Sequence, residues 1–156
     1  MSYDLRAVIA AGETLSAATR GLTAARTTSI GQGLSLLPMT DALCESVADG
    51  GRAGALGFER LKGGFEKLLA DWSAAGPVAY VEAEYFGGVG EQGAAVFDGG
   101  DVVLGPLRVE EGEPFAPAGS PVSQALRRLG VVRGAGQDEF SAVGLDRRRH
   151  TDAWLA

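Results

Sequence analysis

Two β-rich runs constrain this chain more than any other feature: residues 78–86 (VAYVEAEYF) and residues 94–104 (AAVFDGGDVVL). In the first, alternation puts Tyr80, Glu82 and Glu84 on one face and Ala79, Val81, Ala83 and Tyr85 on the other. The second is interrupted by Asp98-Gly99-Gly100-Asp101, whose glycines suit a tight reversal of the chain. Between the runs lies only a short glycine-rich connection, residues 87–93. Antiparallel neighbours can be joined that briefly, whereas parallel strands need a crossover of about a dozen residues or more. The runs therefore predict a meander of two or three antiparallel strands at the centre of a sheet.

The flanking segments add a strand and several helices. Residues 3–10 alternate, with Tyr3, Leu5, Ala7 and Ile9 against Asp4, Arg6 and Val8, the pattern of a half-buried strand. Leu15, Ala18, Leu22 and Ala25, spaced by threes and fours, predict a helix within residues 13–26 that ends near Gly21. Residues 29–37, with Gly31 and Gly33 embedded and Pro38 closing them, predict an irregular strand or bulged loop. Thr40 is placed to cap a helix bearing Leu43, Cys44 and Val47 and stopping near Asp49-Gly50-Gly51. Phe65, Leu68, Leu69 and Trp72 predict a helix from Gly64 to just before Gly76-Pro77. The clearest helix signal starts at Ser120, with Pro121 at the first helical position, Val122, Ala125, Leu126 and Leu129 inward and Gly130 at the end. Beyond it, residues 134–137 predict a loop, residues 140–145 a short strand, and Trp154 an anchor for a charged end. No βαβ alternation is present. The expected fold is α+β, a mostly antiparallel sheet with helices packed on one face, and residues 1–156 are expected to form a single globular domain.

Composition narrows the function. The 20 acidic and 14 basic residues give a net charge of −6, which repels phosphate backbones and argues against nucleic acid as a partner. Every apolar stretch is interrupted well short of the roughly 20 residues of a membrane span. Cys44 has no second cysteine to pair with, and Asp4 and Arg6 stand where a signal peptide needs its apolar run, so a cytoplasmic setting is expected. One cysteine and one histidine cannot supply the ligands of a structural zinc site, and no metal or cofactor is expected.

Four motifs carry candidate chemistry. Gly88-Val89-Gly90-Glu91-Gln92-Gly93 spells a dinucleotide fingerprint after a predicted strand, but more strand follows it where the fingerprint must open a helix. A glycine-rich hairpin loop, presenting Glu91 and Gln92 to solvent, is the reading its context supports. Glu82 and Glu84 share a strand face; such a pair suits a divalent cation or acid–base chemistry, but a solvated sheet face is the favoured reading because patterning alone accounts for it. Cys44, on the apolar side of its helix, suits a buried structural role, since His150, the sole histidine, is far away in sequence. Arg147-Arg148-Arg149-His150 could hold an anion or an acidic surface, but a solvated C-terminal segment paired with Asp146 and Asp152 is the preferred reading.

The stretch Tyr80-Val81-Glu82-Ala83-Glu84-Tyr85-Phe86-Gly87-Gly88-Val89-Gly90-Glu91-Gln92, with Gly105-Pro106-Leu107, Gln124-Ala125-Leu126 and Asp138-Glu139-Phe140, resembles small bacterial proteins of the immunity-protein kind. The resemblance covers residues 76–154. It implies a cytosolic α+β domain that neutralises a partner by covering its surface, and it transfers no catalytic residue. The expected function is a non-enzymatic protein-binding domain that meets a basic partner through Glu82, Glu84, Tyr85, Glu91 and Gln92. A metal-assisted hydrolase using Glu82, Glu84 and Glu91 is one alternative, and a nucleotide- or anion-binding module using the glycine-rich amides is another.

Overall fold

In the computed structural model, which describes residues 2–47, 54–58, 61–87 and 89–155, six strands form one antiparallel sheet. Along the chain the order is β1 (Ser2–Ala11), α1 (Gly12–Ala18), β2 (Thr28–Ser29), β3 (Leu34–Pro38), α2 (Asp41–Ser46), α3 (Gly63–Trp72), β4 (Val78–Phe86), β5 (Val89–Asp98), β6 (Asp101–Val109), α4 (Pro121–Arg128) and α5 (Glu139–Ala142). Two 3₁₀ turns, Leu145–Arg147 and Thr151–Leu155, end the chain. Across the sheet the strands run β2-β3-β1-β4-β5-β6, so β1 and the β4–β5 hairpin sit at the centre.

The α+β class and the antiparallel sheet agree with the sequence reading, but helices cover both faces rather than one. Leu5, Ala7 and Ile9 of β1 join Ala79, Val81, Ala94 and Val96 beneath Val122, Ala125 and Leu126 of α4, with Val143, Leu145 and Trp154 alongside. Val8 and Ala10 point the other way, to Tyr80, Ala95 and Phe97, where Leu15 of α1, Leu43 of α2 and Phe65, Leu69 and Trp72 of α3 pack. The reason lies in the central strands. Val78, Ala79, Tyr80 and Val81 are all buried, and a strand apolar at consecutive positions needs cover on both sides. The alternation of β1 suggested one solvated face because Asp4 and Arg6 lie at its open end, while Val8 and Ala10 at the other end are fully buried.

Side-chain caps set the starts of α2, α4 and α5. Thr40 Oγ1 accepts from the Leu43 amide at 3.2 Å and Ser120 Oγ from the Ser123 amide at 3.2 Å, each satisfying a first-turn amide that has no partner within its helix. Residues 29–37 divide into a short β2–β3 hairpin. The strand expected over residues 140–145 is instead α5 and a 3₁₀ turn, because Asp138 Oδ1 accepts from the Ser141 amide at 2.9 Å and caps a helix there. The expected end of α2 near Asp49-Gly50-Gly51 falls outside the described residues. Trp154 is an anchor, 6% exposed in the same core cluster as the buried side chains of α4. Among the described residues no helix is long and apolar enough to cross a membrane.

Candidate functional site

The hairpin connection is shorter than the sequence suggests. Phe86 pairs directly with Val89, so only positions 87 and 88 join β4 to β5, and Gly87 adopts the φ of +63° that such a turn asks of a glycine. Glu91 and Gln92 are therefore not loop residues: they lie within β5, opposite Glu84 and Ala83. The strand that follows rules out the helix a dinucleotide fingerprint must open.

Because neighbouring β5 residues point to opposite faces, Glu91 and Gln92 part company. Gln92 turns toward α4 and is 8% exposed. Its Nε2 donates to the Tyr85 hydroxyl at 3.0 Å, and its Oε1 accepts from the Val122 amide at 3.0 Å. A side chain of the sheet thus satisfies one of the orphan amides of the α4 N-terminus. Gln92, expected to meet a partner, is thus buried and held from two sides, while Tyr85 beside it is half-buried.

On the opposite face, strand register builds two transverse rows. The first runs Arg6, Glu82, Gly93, Arg108 across β1, β4, β5 and β6. Glu82 is 16% exposed between the two arginines, with Oε1 3.5 Å from Arg108 Nη1 and Oε2 4.0 Å from Arg6 Nε. The buried Tyr80 hydroxyl donates to the same Oε2 at 3.0 Å. Burial and the adjacent Glu82 charge push the Tyr80 hydroxyl well above the ordinary phenol range. Gly93 makes this row possible: a Cβ there would stand 2.8 Å from Phe58 Cε1 and 3.3 Å from Glu82 Cγ. The Arg108 guanidinium lies 5.1 Å from the Phe58 ring centroid, a cation–π contact. Glu82 is thus a clamped, half-buried carboxylate rather than part of a solvated face.

The second row runs Asp4, Glu84, Glu91. Arg6 Nη2 donates to Glu84 Oε2 at 3.2 Å, leaving Glu84 otherwise exposed. Burial raises the pKa of Glu91, and a hydrogen bond shared with Glu110 and the charges of Glu110 and Glu84 raise it further against the pull of Arg108. At Asp4, burial also pushes upward, but hydrogen bonds with His150 and Thr151 outweigh it and hold the carboxyl below its ordinary value. Beyond both rows, at the tip of the hairpin, Phe86 is 78% exposed and Val89 50%.

The cleft among Arg6, Glu82, Glu91 and Arg108 has a volume of only about 10 Å³, enough for about one water. Among the described residues no group of three or more His, Cys, Asp or Glu side chains could hold a metal ion. Cys44 is half-buried against the α1–α3 core. His150 binds Asp4, with Nδ1 2.5 Å from Oδ1, and not the expected Asp146 or Asp152.

Of the sequence-predicted contacts, Glu84 is exposed, Glu82, Tyr85 and Glu91 are half-buried, and Gln92 is buried. Sequence reasoning missed Arg6, Arg108, Glu110 and the Phe86–Val89 tip. Alternation placed Arg6 on a strand face, but only register brings it and Arg108 to Glu82. A scan against protein-family models found no match, and searches of the curated proteins and of the solved structures found none either.

Proposed function

We propose that this chain is a non-enzymatic, cytoplasmic protein-binding domain of the immunity or inhibitor type, and that its contact surface is the end of the β4–β5 hairpin. The observation that carries this reading is Phe86, a large aromatic side chain held 78% exposed at a hairpin tip beside the half-exposed Val89. Aromatic anchors ringed by polar groups are the usual energetic centres of protein interfaces. Behind the tip stand Glu84, Glu91 and Glu110. Their mutual repulsion is what an incoming lysine or arginine relieves, so the partner is a protein with a basic surface. In this reading Glu84 and Glu91 make contact, while Glu82, Tyr85 and Gln92 hold the hairpin in place.

The test is capture from host lysate at low and high salt, with the wild-type chain beside Phe86→Ala and Glu84→Lys/Glu91→Lys variants. A single stoichiometric protein held by the wild type, weakened by salt and lost with either variant, is the expected result. Recovery of the chain alone, or equal capture by all three, overturns the proposal.

A further inference from the structure

Inside the sheet, β1 outruns its neighbour β3. β4 pairs with β1 from Ser2 to Ala10, but β3 pairs with it only from Ala7 to Ala11, so no strand lies on the other side of Asp4 and Arg6. The end of the chain takes that place. The Asp4 amide donates to the Arg149 carbonyl at 2.8 Å, and the Arg6 amide donates to Thr151 Oγ1 at 3.1 Å. The Asp4 carboxylate grips the same segment: Oδ2 accepts from Thr151 Oγ1 at 3.2 Å and from the Thr151 amide at 3.4 Å, and Oδ1 accepts from His150 Nδ1. Residues 149–155 are thus a strap laid along β1, with Thr151 buried and the His150 side chain 53% exposed.

Two features make the closure of this strap conditional. A carboxylate only accepts, so His150 Nδ1 carries a proton whether or not the ring is charged; the second proton, on Nε2, decides whether the contact is an ion pair or a neutral donor on a carboxylate. Histidine is the side chain whose ordinary change of charge falls between about pH 5 and pH 8. Burial pushes the Asp4 carboxyl up, but its bonds with His150 and Thr151 hold it below its ordinary value, so Asp4 is charged throughout that range. The other charged groups facing His150, across a shared cavity of about 200 Å³, are Arg6 of β1, Asp41 at the start of α2 and Asp152 of the strap. β3, which also packs on the strap, carries no charged side chain. The second feature is Trp154 near the far end, 6% exposed, whose indole Nε1–H is buried with no hydrogen-bond partner among the described residues. Such a donor forfeits its hydration without return, a penalty on docking that release of the strap removes. We infer that residues 149–155 form a proton-gated strap, closed on β1 while His150 is charged and loosened when His150 gives up its proton. Arg6 ties the strap to the open face of the sheet, since Thr151 holds its amide while its guanidinium reaches Glu84.

The test is residue-resolved amide hydrogen exchange of the full chain by NMR, each rate corrected for that of a free amide at the same pH. The Asp4 and Arg6 amides, which donate to the strap, report its opening. The Ala79 and Val81 amides, in the central strand β4, report opening of the sheet itself. Raising the pH from about 5 to about 8 is expected to lower protection at Asp4 and Arg6 about threefold relative to Ala79 and Val81, the effect of losing one half-exposed ion pair. His150→Gln, at an exposed position and with no titrating group, should lack that dependence. Equal protection at the two pH values, the same dependence in His150→Gln, or a loss shared equally by Ala79 and Val81 overturns the inference.

Discussion

Glu91 and Gln92 are neighbours on one strand with opposite fates. Gln92 faces α4, where every polar atom it offers is matched by the Tyr85 hydroxyl or the Val122 amide. Glu91 faces the open side, where burial and two neighbouring glutamates disfavour its charge. The closed side of the hairpin end is resolved internally, and the open side is not. On the proposed reading, that contrast separates residues that hold the fold from residues that meet a partner, and it does so between side chains of similar size.

The largest expected effect lies on the closed side. Gln92→Leu leaves the Val122 amide and the Tyr85 hydroxyl without their partner and is expected to destabilise the protein by about 1–3 kcal/mol, read from urea unfolding with an unchanged slope. Next comes Gly93→Ala, which crowds Phe58 and Glu82 and should cost about 1 kcal/mol, the lower end for overpacking because the Phe58 ring edge can shift. Phe86→Ala should change stability by no more than about 0.5 kcal/mol while removing partner capture. If Phe86→Ala destabilised as much as Gln92→Leu, the contrast between the two sides would collapse.

The smallest effects are in pH dependence, and they carry opposite signs along one row. The folded pKa of Glu91 lies above its ordinary 4.5, so its contribution is fully present below that value and is lost as pH rises through the raised pKa. Asp4 lies below its ordinary 3.8, so its contribution is present above that value and is lost as pH falls through the lowered pKa. Glu91→Gln should abolish the loss of stability on the rising side, and Asp4→Asn the loss on the falling side. Unfolding curves collected across both ranges check each sign. A Glu91→Gln profile that matches the wild type would remove the strained carboxylate from the description of the open side.

Much of the scaffold was legible. Thr40 and Ser120 cap their helices as a short hydroxyl before an apolar stripe should, and Asp98-Gly99-Gly100-Asp101 marks the junction of β5 and β6. Misreadings came where a local rule met a longer-range one. Glycines at 87, 88, 90 and 93 look like one loop, but Gly90 and Gly93 lie within β5, and Gly93 is small because Phe58 packs over it. Residues 140–145 look β-like until Asp138 is seen to cap them. The Arg6–Glu82–Arg108 clamp was out of reach, since it depends on the register of four strands, and alternation within each strand says nothing of how the strands slide past one another.

The Gln92 bridge also has a mechanical reading. The β4–β5 hairpin is a cantilever, its root bolted to α4 through Gln92 and its free end carrying Phe86 and Val89. A stiff arm has little freedom to surrender when its tip is gripped, so more of the contact energy is retained as affinity. Backbone relaxation should find Phe86 and Val89 nearly as ordered as the sheet centre, and loosened when Gln92 is replaced by Leu. A change buried beneath a helix would then alter the grip of a tip it never touches.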